Sequence, residues 1–190
     1  MKNLKELQQE FYNRGDVYCN QKYGETLPYS FHLKCVEAQG HNFFNLIRNS
    51  IISNEDNRFS ESVYLREVLA LALTAHDALE DFRMSYNDVK ELCSQLGNTT
   101  AGEMIADIVY YVTDEKGKNR KERKSDKYYK ELSENKLAVF VKLADISANT
   151  LFSKLTGSSM YRKYKSEFSY FKERCYVEEY KEFFDYVQSL

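Results

Sequence analysis

The chain has 190 residues, of which 29% are charged, and its formal net charge is only -2. That length suits one domain able to bury a real core without covalent staples. The near-balanced charge gives no global sign of a nucleic-acid or membrane-surface partner, and no apolar run approaches the ~20 residues that span a bilayer.

Seven glycines and one proline are few for this length, and apolar residues recur mostly at helical spacing. Both features predict an all-α protein. The four cysteines, Cys19, Cys35, Cys93 and Cys175, show no CxxC spacing, which reads as reduced thiols in a cytoplasmic protein. The N-terminal stretch MKNLKELQQEF is amphipathic and charged, unlike a signal peptide.

In chain order, Leu4, Leu7, Phe11 and Tyr12 predict a short first helix over Leu4 to Tyr12. The stretch NQKYGETLPY reads as a loop, with the lone Pro28 disfavouring helix at Leu27. A second helix is expected from Ser30, with His32 in its first turn, running on through HNFFNLIRNSII. His41 fits no pattern and is expected at the surface. SNEDNR punctuates the chain, and Ser60 is an N-cap candidate for the next helix. That helix, ending in LREVLALALTAHDALED, is apolar until His76-Asp77 and Glu80-Asp81. Residues four apart share a helix face, so His76 is expected above Glu80 and Asp77 above Asp81.

Further on, Ser85 with Asp88 predicts another helix start, and Gly97 its stop. Thr100 with Glu103 fits a capping box ahead of MIADIVYYV. The run KGKNRKERKSDKYYK is strongly basic and reads as a loop entering a short helix. Lys136 to Lys154 is a long apolar helix interrupted by Asp145 and Asn149, again four apart. Two closing helices are expected over residues 159–190, from the stripes Tyr161, Tyr164, Phe168, Phe171 and Tyr176, Tyr180, Phe183, Val187. No repeat or domain linker interrupts residues 1–190, which read as one domain.

Unpaired carboxylates on an apolar helix are costly to bury, so a positive group is expected to meet them. His76 and Asp77 find their best inward-facing partners in His32 and Asp145. Two imidazoles with two carboxylates suit a divalent ion such as Mn²⁺, Fe²⁺, Zn²⁺ or Co²⁺, and open positions for water favour Mn²⁺. Glu80 and Asp81, one turn from the ligands, are placed to orient a metal-activated water and to handle a proton. Lys118, Arg120, Lys121, Arg123 and Lys124 suit phosphate as a group. Lys142, three residues before Asp145, is placed to neutralise a carboxylate or touch phosphate. Tyr18 and Tyr29 are candidates for stacking on a purine. Neither GxxxxGK[ST] nor GxGxxG occurs.

The order H…HD…D resembles the HD superfamily of metal-dependent phosphohydrolases. GETLPYSFH, TAHDALED, VTDEKGKNRKERK and VKLADISANT are similar to segments of the RelA/SpoT-type hydrolase domain and its small stand-alone metazoan relatives. The likeness covers roughly Lys22 to Leu151, with Phe82 standing where the family usually has Thr. It implies a single HD-domain helical bundle, with a core over about 20–155 and closing helices beyond. It implies His32, His76, Asp77 and Asp145 as Mn²⁺ ligands, and Glu80 and Asp81 as the catalytic acidic pair. Lys22, Asn149 and Arg123 would contact substrate, with Lys142 beside them. The implied reaction is removal of the 3′-pyrophosphate of guanosine 3′,5′-bis(diphosphate) by a metal-activated water. The alternatives are an HD-type nucleotidase or dNTP hydrolase, and a non-catalytic nucleotide-binding module. The expected partner is thus a small nucleotide polyphosphate, with neither nucleic acid nor membrane.

Overall fold

The computed structural model describes residues 1–19, 22–24, 26–47, 62–97, 99–114 and 120–190. The protein is all-α: the described residues form helices and one isolated antiparallel bridge, Tyr23 to Leu27, with no strand among them. The helices are α1 (Leu4–Tyr18), α2 (Tyr29–Asn42), α3 (Ser62–Ala75), α4 (Ala78–Asp81), α5 (Tyr86–Ser94) and α6 (Thr99–Val112). They continue with α7 (Arg120–Arg123), α8 (Asp126–Ser133), α9 (Lys136–Leu155), α10 (Met160–Cys175) and α11 (Lys181–Ser189). A 3₁₀ turn, Glu178–Tyr180, precedes α11.

Helix α9 is the axis of the bundle. Its residues Ala138 to Ala148 are buried without interruption, as expected of a helix with apolar residues all round. It packs against α2, α3, α6, α8, α10 and α11. Helix α3 packs on α1, α2 and α6, and α5 lies along α6. Phe140 of α9 meets the rings of Tyr180 and Phe183 edge-on, each centroid 5.4 Å away, and this joins the closing helices to the core. Among the described residues, no helix is long and apolar enough to cross a membrane.

Several helix starts follow the local chemistry. Asn3 with Glu6 and Ser85 with Asp88 form reciprocal capping boxes, while Ser125 and Asn135 cap α8 and α9. Other boundaries depart from expectation. Helix α1 runs past Tyr12 to Tyr18, through Gly15. A Cβ there would lie 3.2 Å from the Phe82 and Tyr29 rings, so glycine permits this close approach. Helix α2 begins at Tyr29 and ends at Asn42 rather than continuing unbroken, with a further helical turn over 44–47. Helix α5 ends at Ser94, before Gly97, and Thr100 lies inside α6 rather than capping it. The Ser60 cap, and the part of 40–59 after residue 47, fall outside the described residues.

Candidate metal centre and its cleft

Three separate segments supply the candidate ligands. His32 is the fourth residue of α2, whose start is fixed by Asp16 of α1. The Asp16 carboxylate accepts from the Ser30 backbone N–H at 2.7 Å and its hydroxyl at 2.9 Å. Asp145 sits in the middle of α9. His76 and Asp77 correct the expected continuous helix: they form a turn between α3 and α4, with Asp77 at φ −96°, ψ 10°. The break does not abolish the four-residue link, because the Asp81 N–H still donates to the Asp77 carbonyl at 2.9 Å.

The side chains converge. His32 Nε2 is 3.3 Å from His76 Nε2, 3.5 Å from Asp77 Oδ2 and 3.5 Å from Asp145 Oδ1. His76 Nε2 is 2.9 Å from Asp77 Oδ2 and 3.8 Å from Asp145 Oδ1. Ligand atoms about 2.0–2.2 Å from one cation are separated by roughly 3.0–3.4 Å along the edges of the coordination polyhedron. The observed spacings fall around that range, tightest for His32, His76 and Asp77, so the donor set fits a single divalent ion. His76 Nδ1 donates to the Leu73 carbonyl at 2.8 Å, which aims Nε2 at the cluster. His32 Nδ1 is buried without a partner, and its ring lies instead between those of Tyr23 (4.9 Å) and Tyr29 (5.4 Å).

With protein groups alone, charge in the cluster is shared among side chains. Burial opposes a charge on His76, but Asp77 and Asp145 outweigh it and lift the imidazole to about 9. Burial likewise opposes the Asp77 carboxylate, and the two histidines hold it well below the usual range. Asp145 is also held low against burial, first by Lys142, whose Nζ is 3.2 Å from its Oδ2. Glu80 behaves differently: burial, reinforced by Asp77 and Asp114, raises it to about 8 despite the opposing Lys142 charge and the Asp114 N–H at 2.8 Å. Asp81 is raised by burial and by Asp77.

Nine of the ten residues singled out above line one cleft of about 780 Å³, and His76 lies buried beneath it. Lys22 is exposed at its rim. Asn149 donates to Asp145 Oδ1 at 2.6 Å and accepts from the Tyr23 hydroxyl at 3.1 Å. Arg123 Nη1 is 4.0 Å from Asp114 Oδ1, and Lys124 pairs with Glu167 at 2.8 Å. Lys118 and the side chains of Arg120 and Lys121 lie outside the described residues.

The tyrosines require correction. Tyr18 does not line the cleft; it is 39% exposed, with Arg83 over its ring. Tyr29 does line it, but its hydroxyl is engaged by Asp77 and Asp81. Sequence reasoning missed Asp114, Tyr23 and Tyr164 in the cleft. The signal for Asp114 was present in VTDEKG, an acid following an apolar helix.

No protein-family model matches the chain, and no curated protein matches it at a significant level.

Proposed function

We propose that the chain is a metal-dependent phosphohydrolase, with His32, His76, Asp77 and Asp145 holding a divalent ion, Mn²⁺ by the resemblance. One observation carries this reading: four ligand-type side chains from three segments converge at the floor of a cleft whose rim carries Lys22, Arg123 and Lys124. A cation bound there supplies Lewis acidity toward phosphoryl oxygens and makes a coordinated water more acidic.

The protein's own groups divide the remaining work. Arg123 and Lys22 offer charge to phosphate oxygens, and the Asn149 amide offers a directional contact. Asp81, with its carboxylate facing the cleft, accepts a proton from the attacking water. Glu80, raised to about 8, is mostly protonated at neutral pH and delivers a proton to the departing oxygen. The resemblance carried by GETLPYSFH and VTDEKGKNRKERK selects the substrate, guanosine 3′,5′-bis(diphosphate). The water oxygen bonds to the phosphorus attached to the ribose 3′ oxygen, and that P–O bond breaks. The ribose oxygen takes up the proton, giving the 3′-hydroxyl nucleotide and pyrophosphate.

The test is turnover of purified protein with Mn²⁺ against guanosine 3′,5′-bis(diphosphate), dNMPs and dNTPs, with a chelator control. Asp77→Ala is expected to lower turnover at least 10³-fold while leaving the circular dichroism spectrum unchanged. Turnover of deoxynucleotides alone would overturn the substrate. Unaltered activity in Asp77→Ala would overturn metal catalysis.

A further inference from the structure

The Tyr29 hydroxyl lies between two carboxylates of different duty. It is 2.5 Å from Asp77 Oδ2 and 3.2 Å from Asp81 Oδ2. That Asp77 oxygen is the one facing both histidine Nε2 atoms, at 2.9 and 3.5 Å. A phenol carries one proton, so it donates to one carboxylate oxygen at a time. The shorter contact assigns the donation to Asp77 among the protein groups alone. A cation drawing on the lone pairs of Asp77 Oδ2 weakens that oxygen as an acceptor, which favours donation to Asp81.

The ring is itself held. It lies edge-on to Phe82 at 5.8 Å and to His32 at 5.4 Å, and it is only 9% exposed. Phe82 is fully buried behind it. Since His32 Nδ1 has no hydrogen-bond partner, the packed Tyr23 and Tyr29 rings fix the imidazole where an outer hydrogen bond ordinarily would.

We infer that Tyr29 is a positioning residue that couples the cation site to Asp81: its ring orients His32, and its hydroxyl holds Asp77 and hands its proton contact to Asp81 when a cation is bound. This rests on the metal reading given above and adds to it a residue that no ligand pattern identifies.

Tyr29→Phe removes the hydroxyl and keeps the ring, so it separates the two roles. Calorimetric Mn²⁺ titration should show binding weakened by about tenfold, the low end for losing a partner of a metal ligand. The circular dichroism spectrum should be unchanged. In turnover assays kcat should fall with KM unchanged. In a double-mutant cycle with Asp81→Asn, the two losses should be less than additive, because the hydroxyl acts through Asp81. Equal Mn²⁺ affinity in Tyr29→Phe and the unmodified protein, or fully additive losses, would overturn the inference while leaving the metal reading intact. If the unmodified protein itself takes up no Mn²⁺, the metal reading fails first and this inference with it. Should Tyr29→Phe lose its helical spectrum, Tyr29→Trp provides the second variant: retained fold with Mn²⁺ affinity equal to the unmodified protein again overturns the inference.

Discussion

Lys142→Met isolates the charge that the cluster needs when only protein groups are present. Lys142 is 8% exposed, and its Nζ is 3.2 Å from Asp145 Oδ2. Burial works against its ammonium, yet Asp145, Glu80 and Asp114 hold it well above the ordinary lysine range. At 3.2 Å and an effective dielectric of about 20, the attraction to Asp145 is roughly 5 kcal/mol. Methionine preserves most of the stem, so the loss is mainly electrostatic. Removing one partner of a buried pair costs about 3–5 kcal/mol. Protonation of Asp145 caps that cost: raising a carboxyl from its reference 3.8 to 7 requires about 4 kcal/mol at 1.36 per pH unit. Urea unfolding at pH 7 with chelator should therefore show a loss of about 3–4 kcal/mol, and the melting temperature should drop on the order of 10 °C. The deficit should shrink toward pH 5, where the carboxyl takes up a proton more cheaply. Saturating Mn²⁺ at 100 times its Kd should restore about 2.7 kcal/mol by linkage. A loss below about 1 kcal/mol, flat with pH, would refute the reasoning, because Asp145 would then have some other compensation.

Two other changes test parts of the structure away from the ligands. Gly24 has φ +60°, and a Cβ there would lie 2.6 Å from Phe152 Cζ. Gly24→Ala should cost about 1–3 kcal/mol in a thermal melt and lower kcat, because Phe152 packs 4.3 Å from Tyr23, which holds Asn149. An unchanged melting temperature would mean that the loop absorbs the methyl group. Glu37 accepts from Tyr12 and Thr74, both at 2.6 Å, but burial outweighs these bonds and raises its carboxyl. A raised folded value means that the native state binds more protons than the unfolded chain between its ordinary 4.5 and that higher value. Its contribution is then fully present below 4.5 and is lost as pH rises through the folded value. Glu37→Gln should flatten that decline in urea unfolding measured from pH 4 to 8, and parallel curves for the two proteins would contradict it.

What the sequence made legible was local chemistry and periodicity. Ser85 with Asp88 announced a helix start through its own hydrogen bonds, and VKLAD showed a charged residue where an apolar face should continue. The boundaries that escaped were decided by contacts between distant segments. Arg14-Gly15-Asp16 reads as a breaker, yet α1 passes through it because Gly15 admits the Phe82 and Tyr29 rings. The periodicity of LALALTAHDALED continues through His76, while the chain turns there. In the candidate site, the residue types were visible, but the hydroxyl of Tyr29 and the backbone N–H of Asp114 were not. Such partners become visible only when segments distant in sequence are packed together.

The charge distribution explains why a cation and a polyphosphate would depend on one another here. Asp77, Glu80, Asp81, Asp114 and Asp145 place five carboxyl groups in the cleft, against four cationic side chains, Lys22, Arg123, Lys124 and Lys142. Lys142 and Lys124 already pair with Asp145 and Glu167. A polyanion can therefore meet positive charge at the rim, but it faces net negative charge at the floor. A divalent ion among the histidines and Asp77 reverses that local sign, and a phosphate oxygen completes the ion's surroundings in return. Each ligand thus strengthens the binding of the other by the same factor, a reciprocal coupling that needs no movement of the helices.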